Sequence, residues 1–486
     1  METRQRMASR LAGLARPAKQ GATLLMAGMV AACSGLGGSA SAPPVEAGRE
    51  GFVSGFLGGV AAEEPRAALA ARERLSAGGN AADAAVAAGF MLTVTQPARA
   101  GLGGGGACLL FDPRRNTTEA LIFPPGGRAG VPQGADRPAA VPMMARGLFA
   151  LHARAGRRPF EEAIVPAEQA ARLGSEVSRA FATDLAAVSG PLLADPNLAA
   201  IFAPGGRLVT VGDRVVQPEL GATLGTLRTA GVGDLHQGAM ARRLEAASVA
   251  AGGSLTIAEL RAAVPQVVAP LQVQIGADLG SFLPLPIDGG LAAAASFQAL
   301  AAGANPQAAM ARGVAVSRLW RASGGEAAAL LAGPAPADEA WPLLPASTSL
   351  VVIDNAGQAV ACAFTMNNLF GTGRMAPGTG ILLAAAPNIG QVQPPLLAAG
   401  IVHNANIRAF RAAAAGSGQH GAAVAVATAL RGALGGSDAA AALATVPDPG
   451  RAQLVTCSRY LPGLEVGCTA ATDPRGAGLA LGAADR

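Results

Sequence analysis

The stretch from residue 349 to residue 366 constrains the fold most. SLVVID and QAVACAFTM are two apolar, strand-length runs joined by Asn355-Ala356-Gly357. A short turn sequence between two such runs reads as a β-hairpin, and one this apolar reads as buried. Upstream, residues 63–99 read as helix, interrupted at Gly78-Gly79-Asn80, with Asn80 placed to cap AADAAVAAGFMLTV. Gly101 to Gly106 form a glycine run, and ACLLFD after it reads as a strand. RPFEEAIVPAEQAARLG and QPELGATLGTLRTAGV read as helices. Residues 321–346 are rich in Ala, Pro and Gly and read as an exposed, weakly structured linker. The tail alternates Ala-rich helix with the strand AQLVTCSR. Helices mixed with paired strands predict an α+β arrangement of layers around a sheet core.

The chain has 486 residues, a net charge of +5 and a pI of about 9.4. A basic pI invites a nucleic-acid reading, which needs a basic patch. Arg4, Arg6, Arg10, Arg16 and Lys19 against Glu2 place +4 of that charge in the first 32 residues. No nucleic-acid partner is therefore expected. The same segment is a basic region followed by GATLLMAGMVAA, too short to span a bilayer, which takes about 20 residues, and suited to a signal peptide. Val30-Ala31-Ala32-Cys33 resembles the lipobox of bacterial lipoproteins, in which the cysteine becomes the lipid-bearing N-terminus. An acyl chain contributes about 0.8 kcal/mol per buried methylene, so Cys33 would tether the protein without a spanning helix. The alternative is an ordinary signal peptide with an incidental cysteine. Ser34 stands where Asp would mark retention at the inner membrane, so the expected location is the periplasmic face of the outer membrane. GLGGSASAPPVEAGREGF then reads as a tether.

Several familiar chemistries lack their residues. Gly101-Leu102-Gly103-Gly104-Gly105-Gly106 satisfies GxGxxG, but a helix precedes it and a strand follows, the reverse of a dinucleotide site. The only lysine, Lys19, excludes a Walker A loop from the body of the chain. His152, His236, His403 and His420 lack HExxH spacing and read as surface or cap residues. No CxxC pair occurs, so neither a metal nor any other cofactor is expected. Cys457 and Cys468 could close a small loop, whereas Cys108 and Cys362, in apolar runs, read as buried thiols.

What remains is a hydroxyl cluster, Ser347-Thr348-Ser349, between the linker and the buried strand. A serine or threonine hydroxyl is a weak nucleophile until a base takes its proton, and chain cleavage can supply that base as the residue's own α-amine. A polar strand cap looks the same locally.

Here the sequence resembles the γ-glutamyltransferases, of the N-terminal-nucleophile hydrolase superfamily. Gly78 to Val86 match GGNAxDAAV, and Gln96-Pro97 with Gly101 to Gly106 match its P…GLGGGG run. Val165 to Glu168, Gly212-Asp213 with Gln217 to Leu220, and Gly252 to Thr256 follow in family order. Asn367 to Gly373 match NxxFGTG, and Asp473 to Gly478 resemble DPRxxG. The resemblance implies an αββα sandwich made as a precursor that cuts itself. With the signal peptide (1–32) and tether (33–50) already read, it divides the remainder into a large-subunit-like region (51–346) and a small-subunit-like region (347–486), the two forming one globular unit.

By the family spacing from Asp354 the nucleophile falls on Ser347, with Thr348 one register away. Thr365 matches the threonine that bonds the nucleophile, and Asn367 an asparagine of the substrate pocket. The implied reaction is hydrolysis or acyl transfer on glutathione or a related γ-glutamyl amide, so the implied partner is a small amide or peptide. Yet Pro124 follows Phe123 where the family's carboxylate-clamping Arg stands. Ala384 to Ile389 replace its amine-binding segment, Leu397-Ala398 replace a Ser-Ser pair, and Gly418 to Gly421 replace a Gly-Gly. These departures leave two alternatives: an amidohydrolase with a less polar substrate, or a catalytically inactive relative acting as a structural or binding lipoprotein.

Overall fold

The computed structural model describes residues 56–334, 344–463 and 467–482. The signal segment, Cys33 and the tether lie outside them. Thirteen strands build two main sheets: β1 Gly58–Ala62, β2 Gly105–Asp112, β3 Thr117–Phe123, β4 Gln266–Val268, β5 Leu271–Ile275, β6 Asp278–Phe282, β7 Ser347–Asp354, β8 Ala359–Thr365, β9 Ala398–Asn404, β10 Ala409–Ser417, β11 Arg451–Leu461, β12 Cys468–Thr472 and β13 Leu479–Leu481. One sheet has the order β13-β1-β7-β8-β2-β3-β4 and the other β12-β11-β10-β9-β6-β5, with antiparallel neighbours throughout.

Alternation along each strand separates three cores. Val351 and Ile353 of β7 face Ile401, Phe410 and Val455 of the second sheet. Leu350 and Val352 face the helices α1 (Pro65–Ser76) and α2 (Ala81–Thr95). Ala-rich helices Asp288–Ala301 and Ala422–Leu434 cover the far side of the second sheet. The layers run helix, sheet, sheet, helix. Alanine-rich packing suits this arrangement because small side chains let helices lie close to a sheet.

The hairpin forms as read, and α2 is fastened to its turn. Asn80 caps α2 through a reciprocal box with Asp83, at 3.0 Å in each direction. The next two helix N–H groups leave the helix: Ala81 donates to Asp354 (3.3 Å) and Ala82 to Gln358 (3.1 Å). The glycine run is explained by crowding. A Cβ on Gly103 would lie 2.1 Å from the Leu382 carbonyl oxygen, and one on Gly105 2.2 Å from that of Phe123.

Three expectations are corrected. Cys108 and Cys362 form a disulfide, because the β2–β8 register sets them directly opposite each other. Cys457 and Cys468 also pair. The supposed linker begins in helix: Pro306–Ser323 carries Arg321 into an ion pair with Asp288, and Ala327–Ala332 is helical too. Residues 335–343 of that segment lie outside the described ones. His236 and His403 are buried at 0% and 2% exposure rather than at the surface; burial lowers the His236 pKa to about 4. Among the described residues no helix is long and apolar enough to cross a membrane.

Candidate active site

The site lies at the open end of the β7–β8 hairpin. Ser347, 1% exposed, opens β7 directly opposite Thr365, the last residue of β8. The Thr365 hydroxyl donates to the Ala346 carbonyl (3.0 Å) and accepts from the Asn367 N–H (2.9 Å). Asn367, with a φ of 57°, turns the chain out of β8 and donates from its side chain to the Ala385 carbonyl (3.0 Å). That carboxamide hydrogen is therefore already in use.

Ser347 and Ser349 share the face between the sheets, where Ser349 donates to the Ala415 carbonyl (3.2 Å). Thr348 projects to the helix side and donates to the Gln96 side chain (2.9 Å). The two candidate hydroxyls thus lie on opposite faces of one strand.

Three side chains that the sequence reading missed gather here. Arg99 comes from the short helix α3, Pro97–Ala100. Its guanidinium donates to both oxygens of Asp184 (2.7 and 2.6 Å) and to the Ser347 carbonyl (3.0 Å). Glu63, just past β1, lies 3.8 Å from Arg99 and accepts from Ser417 and, at 3.4 Å, from Gln453. Burial raises the Glu63 pKa despite Arg99. Burial would lower that of Arg99, but the Asp184 carboxylate outweighs it and the net shift is upward. No local pattern marks Glu63 or Asp184, whereas Arg99 sits inside the P…GLGGGG run already singled out.

Two clefts flank Arg99 and Asp184, which line both. One, of about 580 Å³, has Ala346, Asn367, Leu369, Gln393 and Gln419 in its wall. The other, of about 500 Å³, is charged, with Glu63, Arg179, Arg451 and Arg475. Ala384, Ala386 and Leu397, at positions where the resemblance expected polar partners, are buried at 0 to 2% exposure. Among the described residues no group of three His, Cys, Asp or Glu side chains could hold a metal ion.

A helix-sheet-sheet-helix sandwich with a hydroxyl residue opening a central strand is the architecture of the N-terminal-nucleophile hydrolases. The chain belongs to the Gamma-glutamyltranspeptidase family, whose sequence pattern matches residues 67–312. It is similar to the acylase ACY 1 proenzyme of Pseudomonas sp. (strain SE83), 32% identical over 228 residues, 43% of this chain and 41% of that protein. It is also similar to the glutathione hydrolase proenzyme of Escherichia coli (strain K12), 28% identical over 413 residues, 72% of this chain and 70% of that one. The match to the acylase therefore spans about two fifths of its length. Among solved structures, cephalosporin acylase from Bacillus halodurans shares the fold, with a TM-score of 0.71 at 20% identity over 90% of this chain and 98% of that one.

Proposed function

We propose that the chain is an amidohydrolase and acyltransferase that cuts itself between Ala346 and Ser347 and then works through an acyl-enzyme on Ser347. The observation that carries this reading is the hydrogen bond on the scissile carbonyl. Thr365 donates to the carbonyl of Ala346. In the self-cleavage, Ser347 Oγ attacks that carbonyl carbon, and the donor stabilises the charge developing on its oxygen. The C–N bond breaks, an ester forms, and the hydroxyl proton passes to the new α-amine. Water then hydrolyses the ester, which releases the Ala346 carboxylate and frees the Ser347 hydroxyl. The free amine serves as base when Ser347 attacks a substrate amide. Water or an amine receives the acyl group.

The residues at the positions where the resemblance places the glutamyl-binding groups bear on the substrate class. A zwitterionic γ-glutamyl head needs charge-assisted partners, worth about 1.5–3 kcal/mol each. Buried Ala384, Ala386 and Leu397 favour a second reading, an amide without that head. The test is to incubate the cleaved protein with γ-glutamyl-p-nitroanilide and with an aliphatic acyl p-nitroanilide, releasing nitroaniline and trapping the acyl adduct by mass spectrometry. An adduct on Ser347 from either supports the mechanism, and the preferred donor identifies the head. No adduct from either removes the enzymatic reading.

We also propose export and lipid attachment at Cys33, for which the two disulfides give support, since they persist in oxidising compartments. A Cys33→Ser chain that still incorporates labelled palmitate would contradict it.

A further inference from the structure

Two consecutive carbonyls at the start of β7 are held by donors from different elements. Ala346 accepts from Thr365 of β8 and Ser347 from Arg99 of α3. Thr365 holds the peptide group between residues 346 and 347 at its carbonyl, and Arg99 holds the next peptide group at the Ser347 carbonyl, so the Ser347 Cα between the two planes is fixed and its hydroxyl approaches the Ala346 carbon from a restricted set of angles. Resting on the reading of Ser347 as nucleophile, we propose that Arg99, oriented by Asp184, is a positioning residue that clamps the Ser347 carbonyl and sets the charge felt by the Ser347 amine.

The geometry suits an arginine. Two N–H groups lie on the Asp184 oxygens, which fixes the guanidinium plane and aims a further N–H at the carbonyl. A lysine cannot make the fork and the third bond together. The charge balance matters after cleavage, when the α-amine must lose its proton to act as a base. An unpaired cation beside it would favour the neutral amine, and an unpaired carboxylate the ammonium. Arg99 and Asp184 oppose each other. The other ionisable groups around this end are Glu63, His420 in the turn after β10, and Arg179, Arg451, Asp473 and Arg475 along the charged cleft. β8 brings Thr365 and no charge.

The test uses full-length protein with Arg99→Gln, Arg99→Lys, Asp184→Asn and the double variant R99Q/D184N. Self-cleavage is followed by gel and mass spectrometry, folding by thermal melting, and titration of the new Ser347 amine by its acetylation at graded pH. The Arg99→Gln chain should cleave at least about tenfold more slowly, since a small misplacement of reacting groups costs that much or more. Its amine should titrate about one pH unit higher, and that of Asp184→Asn about one unit lower, as opposite charges are exposed. Arg99→Lys should recover cleavage only in part. The double variant leaves no charge unpaired, so it decides the matter if Arg99→Gln fails to fold: slow cleavage supports the clamp. Cleavage at the wild-type rate in a folded Arg99→Gln or double variant overturns it, as do amine shifts of the same sign in both single variants. A wild-type chain that never cleaves overturns the reading of Ser347 and the clamp together, and is told apart from failure of the clamp alone by that control.

Discussion

At the turn of the β7–β8 hairpin Asp354 accepts N–H groups from Ala81, Ala356 and Gln358, and Asp83 accepts from Asn80, Arg157 and Arg158. At the hairpin's open end the side-chain amide oxygen of Gln453 is buried with no hydrogen-bond partner, Glu63 is held above its ordinary pKa by burial, and two clefts of about 500 and 580 Å³ meet at Arg99 and Asp184. Both ends belong to the same two strands. One is saturated with hydrogen bonds to α2, while the other leaves polar groups under-satisfied around a hydroxyl. The difference teaches that the GGN motif and the hairpin turn form the anchor, and that this anchor lets a buried charged cluster, Glu63, Arg99 and Asp184, persist at the far end.

Substitutions at the two ends should separate chemistry from stability. Ser347→Ala should abolish self-cleavage while the melting temperature stays near that of an uncleaved chain; a variant still yielding two fragments would move the nucleophile elsewhere. Asp83→Ala, at the anchored end, should do the opposite. It strands buried N–H groups and should cost about 2–4 kcal/mol in urea unfolding, with cleavage of the folded fraction unchanged. Thr365→Val removes the donor on the scissile carbonyl and should slow cleavage on the order of tenfold to a hundredfold. Thr348→Ala loses one buried hydrogen bond to Gln96, about 1 kcal/mol, and should leave the cleavage site at residue 347.

The smallest effect concerns pH at the anchored end. His152 is part-buried 3.3 Å from Asp83, and although burial lowers its pKa, its hydrogen bonds to the Asp83 carboxylate and the Arg158 carbonyl, with the Asp83 charge, outweigh that and raise it above 6.5. A raised histidine pKa stabilises the fold fully below the unfolded value of 6.5 and loses that contribution as pH rises through the folded value. The stability gap between wild type and His152→Gln should therefore shrink, by less than about 1 kcal/mol, between about pH 6 and pH 9. A gap that widens would contradict the pairing.

Legibility in the sequence tracked the range of the interaction. The hairpin, the Asn80 cap and the helices at 160–173 and 218–230 are local patterns, and they form where periodicity and capping residues put them. The Cys108–Cys362 bridge joins residues 254 apart, and only the β2–β8 register brings them together. Helix at 321–323, the end of Pro306–Ser323, and at 327–332 was hidden by a composition of Ala, Gly and Pro that resembles a loop. Ser347 and Thr365 could be named because the family resemblance supplies a spacing from Asp354 and a matching threonine; the register that sets them opposite each other shows only in the fold. Glu63, Arg99 and Asp184 come from three separate elements, so nothing short of the assembled fold shows that they meet.

Self-cleavage is the claim on which the rest turns. Intact-mass analysis of the purified, denatured full-length protein tests it directly. The account predicts two polypeptides, the smaller beginning at Ser347. A single uncut chain, under conditions where the protein is folded, would contradict it.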